Sequence, residues 1–377
     1  MSKPHATGEK TINLALQGGG SHGAFTWGVL DALLEDGRLN FESISATSAG
    51  SMNAMMVAWG LAEGGEKGRD KAREMLEKFW LEVSREGMFF SPVKHSPLDA
   101  LEKFNPFLKN YDFDETATFA AFEAMTSVAS PYQFNPLNFN PVRRILERLV
   151  TFNNINDGKT TKLFITATCV KTGMPRIFGN DEITIDVLLA SAALPTLFHA
   201  VEIGNSFFWD GGYSGNPSLY PIFYNAKSRD ILIVHVNPII RKTLPDKPHT
   251  IDNRINEITF NAALIKEIRA ISFVKKLIRD DWLKDEYKDR LKDILIHAIR
   301  ADDVMQDISA ASKFDTDWDF LCSLRDFGRK EAKKWLKANY DAINHDDTVD
   351  LNREYLGIKP GQEHQPARKS DKHPDAA

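Results

Sequence analysis

The sequence predicts an α/β fold of three layers, αβα, with a mainly parallel central sheet and additional C-terminal helices. An apolar run at 12–17 leads through a glycine-rich turn into a helical pattern at 24–35. A second short strand at 43–46 leads through a small-residue turn into an apolar helix at 52–62. This strand–helix–strand–helix order is typical of a parallel sheet with right-handed connections.

Length and composition are those of an ordinary globular protein. The chain has 377 residues, of which 42% are hydrophobic and 26% charged, enough for one large domain or two modest ones. A net charge of −5 gives no electrostatic basis for a nucleic-acid partner. The two cysteines, Cys169 and Cys322, argue against a disulfide framework or a cysteine zinc site.

The ends of the chain are polar. Residues 1–10 lack the apolar core of a signal peptide and are predicted to be a disordered lead, and 346–377 a largely disordered tail. No run reaches the roughly 18 uninterrupted apolar residues of a membrane span. The sequence therefore predicts a soluble, cytoplasmic protein.

The segment at 87–141, which follows an amphipathic helix at 67–83, fits no simple period. It carries many phenylalanines between prolines and asparagines. A long aromatic insertion of this kind is typical of a lid or binding wall. A small helical cap with its own apolar contacts explains the pattern equally well, and the two interpretations are compatible.

The remainder divides into a part with short alternating elements and a helical part. The first has, in chain order, a helix at 141–150, strands at 162–170 and 176–178, a helix at 185–193, two strand-like runs within 200–209, and a strand at 231–236. Helices are predicted at 256–279, 282–299 and 321–340. We therefore expect a first domain at 11–243 and a helical region at 244–345.

The turn after the second strand is typical of a nucleophile elbow. Ser48 has small residues two positions to either side, Ala46 and Gly50, as a sharp strand-to-helix turn requires. The N–H groups and dipole of the following helix favour developing negative charge. Serines between small residues are common, so its position between a strand and a helix is what favours Ser48 as a nucleophile.

The glycine run at 18–23, Gly-Gly-Gly-Ser-His-Gly, has three interpretations. Its N–H groups would line an oxyanion hole, its spacing would match the dinucleotide fingerprint G-x-G-x-x-G, or its glycines would only permit tight packing. The fingerprint needs an acidic residue at the end of the second strand, where this chain has Ser48. The oxyanion hole is therefore the favoured interpretation.

The sequence does not single out a proton acceptor for Ser48. No histidine outside the termini lies in a setting typical of a Ser-His-Asp triad. Asp210 follows an aromatic strand-like run, and aromatic neighbours that desolvate a carboxylate make it a better base. The following Gly211 and Gly212 also fit an ordinary Asp-Gly turn.

Together these blocks resemble the patatin-like phospholipase family, which has a glycine-rich oxyanion loop, a serine elbow and a distant Asp-Gly-Gly/Ala motif. The stretch at 190–195 and the pair Asn216-Pro217 are also similar, so that the resemblance covers about 12–236. It implies a lipid acyl hydrolase of the serine type, with Ser48 as nucleophile and Asp210 as general base. Neither a catalytic histidine nor a cofactor or metal is implied.

The resemblance assigns further roles around this dyad. The implied oxyanion donors are the backbone N–H groups of Gly18, Gly19, Gly20 and Ala49. The implied supporting residues are His22, Gly23, Ala46, Gly50, Gly211 and Gly212. Two of them depart from the family, which usually has Arg or Lys where His22 stands and Gly where Ala46 stands. His22 would position the loop or be a solvated loop residue.

The implied substrates are phospholipids, lysophospholipids or simpler lipid esters, cleaved through an acyl-enzyme. A basic, partly apolar helix at 255–279 would contact an anionic membrane peripherally or, the favoured interpretation, cover the sheet. Rival functions are a catalytically silent acyl-binding or regulatory protein, a nucleotide-dependent oxidoreductase, and acyl transfer to an alcohol. The sequence does not give an oligomeric state.

Overall fold

A computed structural model describes residues 9–90, 125–126, 128–150, 161–241, 244–284, 286, 291–305, 308 and 311–358. Three predictions lie wholly or mostly outside these residues. They are the disordered lead at 1–10, residues 91–124 of the aromatic insertion predicted at 87–141, and residues 359–377 of the tail predicted at 346–377. The described part of that tail contains a short helix, Leu351–Glu354, with Leu351 buried.

One sheet of eight strands forms the centre of the molecule. The strands are β1 (Lys10–Leu16), β2 (Leu39–Ala46), β3 (Lys162–Cys169), β4 (Pro175–Phe178), β5 (Val201–Ile203), β6 (Ser206–Asp210), β7 (Asp230–His235) and β8 (Leu295–Arg300). Their order is β5-β6-β3-β2-β1-β7-β8, and β4 also pairs with β3. The neighbouring strands β3, β2, β1, β7 and β8 pair in parallel, whereas β4, β5 and β6 make antiparallel pairs. The predicted mainly parallel sheet is confirmed.

Helices cover the sheet on both faces. They are α1 (Gly23–Asp36), α2 (Ala49–Leu61), α3 (Gly65–Phe90), α4 (Pro131–Phe134), α5 (Pro141–Leu149), α6 (Ile185–Ser191), α7 (Tyr220–Asn225), α8 (Pro248–Arg279), α9 (Asp302–Met305), α10 (Trp318–Asn339) and α11 (Leu351–Glu354). The strand–helix order predicted for the first domain is present.

The central strands have apolar side chains on both faces, as buried parallel strands do. On β7, Leu232 and Val234 belong to the core cluster that includes α1, α2 and α10. Ile231 and Ile233 point the other way, into a second core cluster with α7 and α8. Alternation along a strand thus builds two apolar cores, and the predicted three-layer αβα architecture follows.

Helix α8 belongs to the second of these cores. Its residues Leu264 and Ile268 are fully buried and share a cluster with Ile231 and Ile296 of the sheet. The helix predicted at 255–279 therefore packs on the sheet. Among the helices of the described chain, none is long and apolar enough to cross a bilayer.

The helix predicted at 282–299 is wrong over its last part, because Leu295–Arg300 is strand β8, paired in parallel with β7. Charged residues at helical spacing before this segment suggested a helix. The apolar run that follows, with Ile294 and Ile296 buried, is instead the last strand of the sheet order and is rich in β-branched residues. Residues on either side of the predicted boundary at 243 therefore share one sheet.

Helices α1 and α10 cross with their backbones in contact. A Cβ built at Gly28 would lie 1.9 Å from the carbonyl oxygen of Arg325, and one at Gly328 would lie 2.2 Å from that of Phe25. Each helix therefore needs a glycine where it meets the other, and α10 is held against the first βαβ unit.

We expect Gly28→Ala to lower the free energy of unfolding by about 2–3 kcal/mol, since the added methyl group overlaps a backbone carbonyl. Urea denaturation would measure the loss. Gly179→Ala is the matched control, because a Cβ there makes only ordinary contact at 3.4 Å with Asp181. An unchanged midpoint for Gly28→Ala would contradict the helix contact.

Candidate active site

Three turns meet at one edge of the sheet. Strands β1, β2 and β7 are adjacent and parallel, so their carboxyl ends lie together. Gly18 follows β1, Ser48 follows β2 and Asn237 follows β7. The glycine loop and the serine turn, which are 30 residues apart in the numbering, are therefore neighbours.

Asp210 reaches the same edge through a strand that runs in the opposite direction. Ala46 pairs with Ile165 of β3, and two residues further along β3 Ala167 pairs with Asp210 of β6. Ser48 lies two residues beyond Ala46, just after the end of β2. The sheet register therefore brings Ser48 and Asp210, the two residues of the dyad that the resemblance implies, to one level.

The backbone of Ser48 has φ 54° and ψ −127°, a left-handed conformation that a non-glycine residue rarely adopts. Its N–H donates to Oγ of Ser191 at 2.9 Å, which holds the turn. Although Ser48 is the N-cap of α2, its hydroxyl makes no capping hydrogen bond. The side chain is therefore presented by a strained turn and is not used by the helix.

The glycine loop and the serine turn can approach each other because glycine has no Cβ. A Cβ at Gly18 would lie 2.5 Å from Cβ of Ser48, and a Cβ at Gly50 would lie 2.5 Å from the carbonyl oxygen of Leu16. At Gly23 an added Cβ would lie 2.8 Å from Cβ of Ala49. The tight packing considered for the glycine run is thus present at Gly18 and Gly23, and Gly50 is as small as a sharp turn requires.

Gly18 anchors the loop. Its N–H donates to Oδ1 of Asn216 at 2.7 Å, and its carbonyl oxygen accepts from Nδ2 of Asn237 at 2.6 Å. An N–H with so short a hydrogen bond has no proton left to donate to a substrate. The predicted role of Gly18 as an oxyanion donor therefore does not fit this geometry.

Three other amides near Ser48 are available. Within the described ranges, the N–H groups of Gly19, Gly20 and Ala49 donate to no protein acceptor. Gly20 has φ +60°, which suits glycine. The amides of Gly19 and Gly20 in the loop and of Ala49 in the first turn of α2 are the donors that can serve an anion here.

Polar side chains outside the set of predicted site residues hold the loop in place. Oε1 of Gln17 accepts from the N–H groups of Val236 and Asn237, at 3.0 and 3.1 Å. Its Nε2 donates to Oδ1 of Asn261 at 3.0 Å and to the carbonyl oxygen of Asn216 at 3.2 Å. The sequence did contain a signal for this role of Gln17, because it is a polar residue directly after a buried strand.

Asp210 is buried, with 1% of its surface exposed. Its Oδ1 accepts from the N–H of Gly212 at 2.7 Å, whereas Oδ2 accepts no hydrogen bond of normal geometry. Burial raises the pKa of Asp210 to about 7, against the opposing effects of the Gly212 N–H and the nearby Ser48 hydroxyl. The carboxyl is therefore a stronger base than an ordinary aspartate, it lies near the Ser48 hydroxyl, and one of its oxygens has no partner.

The turn after Asp210 needs both of its glycines. A Cβ at Gly211 would lie 2.2 Å from the carbonyl oxygen of Thr166, and one at Gly212 would lie 2.9 Å from the ring of Phe260. The Phe260 ring packs edge-on against Tyr213, with 5.3 Å between centroids. Helix α8 thus supplies part of the apolar surroundings that desolvate Asp210.

His22 is buried, with 4% of its surface exposed, so its interpretation as a solvated loop residue is wrong. Its Nε2 lies 2.7 Å from Oγ of Ser312, 290 positions further along the chain. Burial, together with the charges of Lys313 and Arg241, lowers the pKa of His22 well below its usual value. The imidazole is therefore neutral, and it ties the glycine loop to the C-terminal region.

Histidines elsewhere in the described chain have other partners. His199 contacts the carbonyl oxygen of Pro131, His235 the hydroxyl of Tyr355, and His297 the carboxylate of Asp230. In the parts of the chain that the structure describes, no three His, Cys, Asp or Glu residues group as metal ligands would.

The sequence matches the family model of patatin-like phospholipases over residues 14–222. This chain belongs to the patatin-like phospholipase family. The match spans more than half of the chain and includes the glycine loop, the Ser48 turn and the Asp210 turn. Family membership supports lipid hydrolysis, and it argues against the nucleotide-dependent oxidoreductase.

Two solved structures share low sequence identity with this chain. VipD from Legionella pneumophila is 14% identical, over 92% of this chain and 73% of that one, with a TM-score of 0.39. The matching chain of the ExoU–SpcU heterodimer, from the type III secretion system of Pseudomonas aeruginosa, is 17% identical. The match covers 93% of this chain and 66% of that one, with a TM-score of 0.27. A comparison with curated proteins finds no match.

We expect Asp210→Asn to stabilise the fold at alkaline pH. Between the ordinary pKa near 3.8 and the folded value of about 7, the folded state keeps a proton that the unfolded state has lost. Wild-type stability therefore falls as pH rises through this window, by an amount on the order of 2–4 kcal/mol, and the amide escapes the loss.

Urea denaturation of both proteins at pH 5 and pH 8 would measure this difference. The advantage of Asp210→Asn should be larger at pH 8. Asp317→Asn, which changes a helix-capping carboxylate, serves as a control for the general effect of removing a charge. A pH-independent difference for Asp210→Asn would mean that Asp210 has an ordinary pKa.

Proposed function

We propose that this protein hydrolyses carboxylic ester bonds of phospholipids or related lipids through a Ser48–Asp210 dyad. One observation carries the proposal. The uncapped hydroxyl of Ser48 lies at a left-handed turn next to the buried Asp210 carboxyl, one oxygen of which has no hydrogen-bond partner. The unused amides of Gly19, Gly20 and Ala49 belong to the two turns that meet there, and family membership supports a lipid substrate.

In the acylation step, Oγ of Ser48 attacks the acyl carbonyl carbon and its proton passes to Oδ2 of Asp210. The carbonyl π electrons move onto oxygen, and the amides of Gly19, Gly20 and Ala49 stabilise the resulting oxyanion. Collapse of this intermediate breaks the ester bond, and the departing alkoxide takes the proton from Asp210. The acyl group remains esterified to Ser48.

In the second step, Asp210 accepts a proton from water as the water oxygen attacks the acyl-enzyme. The same amides stabilise the second oxyanion, and its collapse returns the proton to Oγ of Ser48 and releases the fatty acid. An alcohol in place of water would complete acyl transfer by the same steps. The raised pKa of Asp210 suits this role, because a carboxylate of ordinary pKa is a weak base.

We expect Ser48→Ala to reduce turnover of a nitrophenyl ester and of a lysophospholipid by about 10⁴-fold or more, because the nucleophile is lost. A fluorophosphonate probe should label the wild type and not the variant. Ser323→Ala, which changes an exposed serine of α10, is the matched control. Equal turnover by Ser48→Ala would sink the dyad, and a wild type that is neither labelled nor active favours the silent binding protein.

The pH dependence of kcat/KM should show a limb that rises with pH around a midpoint near 7. Asp210 must lose its proton before it can accept that of Ser48, and its pKa is raised to about 7. Initial rates across pH 5–9 with a neutral ester would measure the limb. His22→Ala should retain it, whereas Asp210→Asn should lose both the limb and most of the activity. The reverse pattern would make His22 the base.

A further inference from the structure

A group of charged residues lies beside the glycine loop, formed by Arg241, Arg254, Glu257 and Lys313; we call it the basic cluster. Glu257 is 1% exposed and pairs with both arginines, with 3.1 Å to Nη1 of Arg254. Three cations surround one carboxylate, so the cluster has a surplus of two positive charges. A partly buried surplus of this kind attracts an anion.

The surplus is centred on Lys313. Its Nζ donates to Oδ1 of Asn253 at 2.8 Å, and no carboxylate of the described chain lies within 4.0 Å of it. The ammonium group has three N–H donors, so two are left for a ligand. Burial lowers the pKa of Lys313 to about 8, which leaves most of the group protonated at neutral pH.

The basic cluster lies close to the proposed reaction centre. A Cβ at Gly20 would lie 2.5 Å from the carbonyl oxygen of Lys313, so the lysine is packed against the loop that presents the amides. On α8, Asn253 precedes Phe260, which contacts the Asp210 turn, by seven residues or about 10 Å. Only a few covalent bonds separate the ester carbonyl from the phosphate in a glycerophospholipid, so one substrate can reach both places.

The loop has no positive side chain of its own at this point. His22 is neutral, because burial and the neighbouring cations lower its pKa. Arg241 and Arg254 are engaged with Glu257, and Arg254 also donates to the carbonyl oxygens of Pro238 and Ile239. Lys313, whose ammonium group donates to Asn253, has further donors for a ligand.

We propose that Lys313 binds the phosphate group of a lipid substrate and that this protein consequently prefers phosphate-bearing esters to neutral esters with the same acyl chain. The proposal rests on the proposed function of the Ser48 site, to which it adds a residue that selects phosphate-bearing esters among the proposed substrates. Arg241 and Arg254 pair with Glu257, so that the ammonium group of Lys313 is left for the phosphate.

Binding to Ser48→Ala protein tests this without requiring turnover. The ligands are a short-chain lysophosphatidylglycerol and the monoacylglycerol with the same acyl chain, both below their micelle concentrations, measured by titration calorimetry. We expect the lysophospholipid to bind at least tenfold more tightly. In Ser48→Ala/Lys313→Met this ratio should fall about tenfold or more, and Ser48→Ala/Lys313→Arg should retain most of it.

Ser48→Ala/Lys78→Met, which removes an exposed lysine of α3, is the control and should keep the ratio. An unchanged ratio in Ser48→Ala/Lys313→Met would overturn the proposal, as would equal binding of the two ligands by Ser48→Ala. If inorganic phosphate alone binds as tightly as the lysophospholipid in a Lys313-dependent way, the site is one for free phosphate and the lipid assignment is wrong.

Two further measurements keep the outcomes distinct. Thermal unfolding of Ser48→Ala/Lys313→Met shows whether a reduced affinity ratio is caused by unfolding of the protein. If it is, the affinity ratios of the Lys313→Arg and Lys313→Gln variants decide whether Lys313 binds the phosphate. Turnover of both ligands by the wild-type chain tests the proposed function separately. An inactive wild type whose Ser48→Ala form still prefers the lysophospholipid through Lys313 would refute hydrolysis and leave the phosphate site standing.

Discussion

The site depends on the close approach of two backbones at the carboxyl edge of the sheet. Ser48 can occupy its left-handed turn beside the first strand only because Gly18 and Gly50 have no Cβ. The same contact fixes where the amides of Gly19 and Gly20 lie relative to the serine hydroxyl. A larger residue at either glycine would separate the proposed nucleophile from the proposed oxyanion donors, whatever the rest of the fold did.

Such a turn is costly, and the surrounding hydrogen bonds offset the cost. Asn216 and Asn237 bond the backbone of Gly18, and Gln17 bonds the backbone of Val236 after β7. Within the proposed dyad, one buried oxygen of Asp210 has no hydrogen-bond partner, and the pKa of this carboxyl is raised to about 7. Stability is given up at the one residue whose basicity the proposed reaction requires, a pattern common at functional sites.

The C-terminal third is part of the same structure. Strand β8 extends the sheet, α8 brings Phe260 against the Asp210 turn, and Ser312 holds His22. The contact with Ser312 thus explains the difference from the family at His22. A neutral, buried imidazole binds the loop to a distant segment, and Lys313 places positive charge next to that loop from the other end of the chain.

The sequence by itself determined the parallel βαβ order and the sharp turn at Ser48, because strand–turn–helix patterns lie in adjacent residues. The dyad of Ser48 with Asp210 was suggested by family resemblance and not by local pattern, since the two residues are far apart in the chain. The sequence did not predict that Leu295–Arg300 is a strand, that the N–H of Gly18 is engaged, or that His22 is buried. Each depends on contacts between residues far apart in the chain, which only the tertiary structure brings together.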